Sequence, residues 1–197
     1  MPKLYQIISQ EYTSTISVLH EGGRMDVFRI LKEDISALSL PELHDDVSED
    51  TLTHLDTLAK QADATELALS YMMRRSFSIQ KLYEKLLKNG VLAQHAKAAV
   101  RKVVQYGYLR EHWQIKDLIS RYLTDKRGPA YIHAKLRSAG YRMRDIEQVE
   151  REMEDAGELD YDKQKKQIIA DMRAEGMDEL SIQKKLKQLG FMPEEEL

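Results

Sequence analysis

Beyond Ala64 the apolar residues of this chain return every three or four positions, the spacing of helices that bury one face. One such stripe holds Ala64, Leu67, Ala68, Tyr71 and Met72. A second holds Ile115, Leu118, Ile119, Tyr122 and Leu123, and a third Tyr161, Ile168, Ile169 and Met172. A shorter stripe follows each: Ile79, Leu82, Tyr83 and Leu86, then Ile132 and Leu136, then Ile182 and Leu186. Further helices are predicted over 93–106, from Ala96, Ala99, Val100 and Val103, and over 143–156, from Ile146, Val149 and Met153. The first 31 residues follow a strand pattern instead: Leu4-Tyr5-Gln6-Ile7-Ile8, an alternating run over 13–20, and a partner over 25–30. Gly22 and Gly23 predict a two-residue hairpin turn, with Glu21 and Arg24 facing each other across its mouth.

The helical pattern is a repeat. Lys-Leu-x-x-x-Gly occurs at Lys85-Leu86…Gly90, Lys135-Leu136…Gly140 and Lys185-Leu186…Gly190, always fifty residues apart. Gly107 with Leu109 and Gly157 with Leu159 form a second column, so five of the nine glycines recur. A period of this length predicts stacked supersecondary units that share a core. Gly90, Gly140 and Gly190 follow helices, where a left-handed residue is least costly as glycine. Gly128-Pro129 reads as a helix start. Ser48 reads as an N-cap, and Asp63 with Glu66 as a second cap that would open a new helix. Asp34 to Leu40 predicts one helical turn, ended by Pro41. Phe191-Met192-Pro193 and the three glutamates after it read as the opening turn of a third closing helix that is cut short.

The expected fold is mainly α: tandem three-helix repeats in an elongated curved array, with a small N-terminal β-hairpin or three-strand element. The divisions expected are a β-hairpin region at 1–47, a connecting helix at 48–63, repeats at 64–110 and 111–160, and a truncated third repeat at 161–197.

Charge changes the picture more than composition does. The net charge is −3, but residues 1–63 carry 5 Lys/Arg against 12 Asp/Glu, whereas residues 64–147 carry 17 against 7. Residues 148–197 return to 8 against 14. A basic middle can hold a polyanion although the chain as a whole is mildly acidic. With no cysteine, disulfides and thiolate sites are excluded. The six histidines show no ligand spacing, and no Walker, dinucleotide or nucleophile-elbow motif occurs, so no catalytic residue, metal or cofactor is expected. A reducing cytoplasm and no membrane span fit the same sequence.

Arg74, Arg75, Arg121, Lys126 and Arg127 fall at the ends of the first helix of both complete repeats. They are candidates for phosphates or acidic groups, against the simpler role of helix-end cations worth roughly 0.3–1 kcal/mol each. Lys85, Lys135, Arg142 and Arg144 complete the candidate set, with the lysine stems equally suited to covering a core edge. Tyr106, Tyr108, Tyr131 and Tyr141 could stack on bases, but the simpler reading is that they fill gaps between repeats.

The run from Arg121 to Leu136, containing Arg127-Gly128-Pro129-x-x-Ile132-x-x-Lys135-Leu136, closes with Gly140-Tyr141 and resembles the second repeat of the RecX family. Leu69 to Ser76 with Leu82, Lys85-Leu86 and Gly90 resembles its first repeat, and Gly107-Tyr108-Leu109 the junction that follows. Two features depart from that family: Arg110-Glu111-His112-Trp113 stands where acids usually follow the junction, and the third repeat is short. The resemblance implies a non-enzymatic regulator that lies in the groove of the RecA–DNA filament; a monomer is expected. The resemblance also implies suppression of strand exchange, ATP hydrolysis and coprotease activity. Two other classes stay open: a module that binds single- or double-stranded DNA directly, and a scaffold for another protein.

Overall fold

The computed structural model describes residues 1–191, which divide into two compact units, 1–75 with 82–108 and 76–81 with 109–191. Among the described residues there are three strands, eight α-helices and one short 3-10 helix over Lys32–Ala37. The expected opening of a third closing helix after Phe191 lies outside the described residues.

In the first unit, β1 (Lys3–Ser9), β2 (Thr13–Leu19) and β3 (Met25–Leu31) form an antiparallel meander. Ile16 faces Ile7 on one side and Phe28 on the other. Two or three strands cannot bury a face alone. Here Leu4, Ile16, Val18 and Ile30 close over Leu55 and Leu58 of α1 (Glu49–Met72). The turn between β2 and β3 is wider than the two glycines suggest. Gly23 N–H donates to His20 C=O and His20 N–H to Arg24 C=O, leaving a three-residue loop. Arg24 then turns to Asp26 (3.0 Å) and Glu21 to the Met1 amino group, so the expected pair across the mouth does not form.

The Ser48 cap is present, its hydroxyl accepting from Thr51 N–H at 3.1 Å. The second cap is not. Residues 49–72 make one continuous helix through Asp63. No glycine or proline interrupts the Ala- and Leu-rich stretch, so the i→i−4 ladder outcompetes a new start. Arg29 on β3 takes both Asp63 and Glu66 instead.

Helix α2 (Ile79–Lys88) buries Leu82 and Leu86, and α3 (Ala93–Gln105) buries Ala96, Ala99, Val100 and Val103. The second unit repeats this plan. In it α4 (Glu111–Thr124), α5 (Pro129–Ser138) and α6 (Met143–Asp155) enclose Ile115, Ile119, Ile132, Leu136, Ile146 and Met153. A smaller core of Ile168, Met172, Ile182, Leu186 and Phe191 lies within α7 (Tyr161–Ala174), α8 (Glu179–Leu189) and the residues after it. Leu86, Leu136 and Leu186, the repeating leucines, are all fully buried. No described helix is long and apolar enough to cross a membrane.

Candidate nucleic-acid interface

The start of α5 is built by close backbone packing. Helix N-termini leave their first amides without partners. Here Gly128 N–H donates to Leu189 C=O (2.8 Å) and Ala130 N–H to Gly190 C=O (3.1 Å). A Cβ on Gly128 would fall 2.6 Å from the Gly190 carbonyl carbon, so only glycine allows this approach. The same device appears fifty residues earlier, also inside the second unit. Ser78 Oγ donates to Ala139 C=O (2.7 Å) and accepts from Lys81 N–H, and a Cβ on Gly140 would meet that oxygen at 2.6 Å. Glu111, from the sequence that departs from the RecX pattern, accepts from Ile79 N–H at 2.7 Å. Burial raises its pKa, and that amide works in the opposite sense.

This packing fixes Tyr131, whose backbone and Cβ lie against Gly190. The ring meets Tyr122 edge-on, centroids 5.7 Å apart. Arg127 lies in the loop just before the Gly128 N-cap of α5, and Lys135 stands about one helical turn after Tyr131. The Arg127 guanidinium lies 4.5 Å from the ring centroid and the Lys135 ammonium 5.4 Å from it. Neither cation forms an ion pair among the described residues. Tyr131 therefore both fills the gap expected of it and orders two uncompensated charges, through contacts worth roughly 0.5–1 kcal/mol each at exposed sites.

The other candidate cations are placed differently. Arg121 pairs with Asp117 one turn back on α4 (3.0 Å), and Arg144 with its neighbour Asp145 (3.2 Å). Lys126 reaches Asp171 at 3.0 Å from a left-handed backbone, φ +56°, in the column that Gly176 occupies fifty residues on. Arg142 is exposed at the start of α6. Arg74, Arg75 and Lys85 belong to the first unit; the two arginines are exposed just past α1, and Lys85 lies 5.3 Å from the Tyr71 ring. Of the whole set, the structure brings together Arg127 and Lys135.

Behind the ridge, α5, α6 and α7 are tied through one carboxylate. His133 Nε2 lies 2.9 Å from both oxygens of the buried Glu150, and Tyr161 OH donates to it at 2.7 Å. Burial first, then that hydrogen bond, raises the Tyr161 pKa well above the usual phenol value. Sequence reading passed over Glu150 because its helix face looks solvated. Among the other tyrosines, Tyr141 fills a gap as expected, buried with its hydroxyl on Gln114 (3.0 Å). Tyr106 and Tyr108 do not. They are 40% and 63% exposed and meet edge to face at 6.5 Å.

No family model matches the chain, and no curated protein matches it. Solved structures do. A crystal structure of a regulatory protein RecX aligns with a TM-score of 0.70, covering 98% of this chain and 95% of that one at 17% identity. The fold is RecX-like. RecX from Lactobacillus salivarius aligns with a TM-score of 0.52 over 68% of this chain and 90% of its own, at 14% identity. The RecX-like fold thus includes the strands as well as the helices, since the longer alignment leaves almost none of the chain out.

Proposed function

We propose that the chain is a non-enzymatic regulator of RecA–DNA filaments. It binds in the helical groove of the filament as a cytoplasmic monomer and inhibits recombinase, ATPase and coprotease activities. The observation that carries this reading is the uncompensated Arg127–Tyr131–Lys135 ridge on a RecX-like fold. Two fixed cations on an aromatic face suit phosphate oxygens, whose contacts position a protein without reading sequence. That is what a regulator needs if it must act on a filament formed on any DNA. The sequence resemblance supports the same partner. The purified protein, added to RecA on single-stranded DNA, is expected to slow both ATP hydrolysis and strand exchange. Unchanged rates at saturating protein would remove the proposal.

A further inference from the structure

The first unit carries a cleft that the cationic ridge does not explain, of about 780 Å³. Its floor is apolar, formed by Leu31 of β3 and by Ala62, Thr65 and Leu69 of α1. Thr65 is 1% exposed and its hydroxyl is spent on the Gln61 carbonyl at 2.8 Å. Its rim holds three tyrosines from distant parts of the sequence: Tyr12 after β1, and Tyr106 and Tyr108 after α3. Tyr12 is 74% exposed and Tyr108 63%, so the first unit does not use these rings to bury area for itself.

The polar lining is acidic in effect. Glu11, Glu33 and Glu66 line the cleft. Two nearby cations are already answered: Arg29 by Glu66 and Asp63, and Lys102 by Glu33 and by Asp34 at 2.9 Å. Tyr106 OH donates to Glu33 at 3.1 Å, which holds its ring at the edge of this network. The lining holds three carboxylates against two cations, Arg29 and Lys32, and Asp63 and Asp34 each add a second carboxylate to the Arg29 and Lys102 pairs, so the balance is acidic.

We infer that this cleft docks an extended segment of a partner protein bearing arginine or lysine next to apolar side chains. Aromatic faces attract cations, carboxylates pair with guanidinium groups, and the floor receives aliphatic side chains. Exposed tyrosines are well suited to such anchoring because they supply area with little entropy to lose. A nucleic acid fails on the same count, since its phosphates would meet the glutamates. The site is therefore separate in chemistry from the ridge on α5, and neither depends on the other.

The test uses the full chain and three labelled probes: the peptide Gly-Leu-Arg-Leu-Arg-Leu-Gly, its counterpart with glutamate for arginine, and oligo(dT). Fluorescence anisotropy is expected to show binding of the arginine peptide, weakened about tenfold or more in Tyr12→Ala/Tyr108→Ala, the loss typical of removing anchor aromatics. The glutamate peptide should not bind, and oligo(dT) binding should be unchanged by the double variant. Tyrosine ring resonances of the unaltered protein give a second readout that needs no variant. Those of Tyr12, Tyr106 and Tyr108 should move with the arginine peptide while that of Tyr161 stays. Equal affinity of the two peptides, equal affinity of the two proteins for the arginine peptide, or unmoved rim resonances would each overturn the inference.

Discussion

Replacing Gly190 by alanine tests the junction on which the cationic ridge is built. The residue has φ +93°, and an added Cβ would lie 2.5 Å from both Cβ and N of Tyr131. A left-handed backbone costs a residue with a side chain roughly 1–2 kcal/mol. Forcing a methyl into packed backbone costs roughly a further 1–3 kcal/mol, because Tyr131 cannot yield without moving α5. Gly90 occupies the same repeat column with φ +83°, but a Cβ there meets nothing within 4 Å. Gly90→Ala should therefore pay the backbone cost alone. The difference of about 2 kcal/mol is about 1 M in urea midpoint if the slope is about 2 kcal/mol per M. Urea melts of both variants, followed by far-ultraviolet circular dichroism, give the comparison. Midpoints that coincide would refute the docking of α5 against Gly190.

Reversing both ridge charges, Arg127→Glu with Lys135→Glu, should weaken binding to RecA-coated or bare DNA far more than Arg121→Glu, whose side chain is already paired with Asp117; filter binding at low salt decides it. Glu150→Ala should cost about 1–3 kcal/mol by leaving His133 and Tyr161 without their buried acceptor, measurable by thermal or urea unfolding. The Lys102 hydrogen bond holds the Glu33 pKa below its ordinary 4.5, with burial opposing. A carboxylate so shifted adds stability above 4.5 that is lost as pH falls through the lower folded value. Glu33→Gln should therefore flatten the acid limb of the stability curve below that pH, and a limb as steep as before would contradict the role given to Lys102.

The repeat was legible because its glycines mark backbone geometry rather than packing. Gly90, Gly140 and Gly190 all have φ between +83° and +93°, which few other residues tolerate. Part of the ridge was legible, since i, i+4 spacing on α5 puts residues 131 and 135 on one face, whereas Arg127 precedes the helix and is brought to the ring by the loop. What spacing could not supply was pairing. Arg121, Lys126 and Arg144 look like Arg127 in the sequence, and only the fold shows that each already meets an aspartate. Asp63 and Glu66 read as a cap because local chemistry allows it, yet the helix runs on and Arg29, more than thirty residues earlier, takes their charge. Tyr106 and Tyr108 were read as filler because burial at a helix end depends on what lies opposite. There the answer is the open cleft beside Tyr12.

The most direct measurement is the salt dependence of binding to RecA filaments on single-stranded DNA, for the unaltered protein and for Arg127→Gln/Lys135→Gln. Each phosphate contact on a single strand contributes about 0.7 to the slope of log K against log salt. Loss of the two ridge cations should thus lower the slope by about 1.4 as well as the affinity. A slope that stays the same in the double variant would mean that the ridge does not face phosphate.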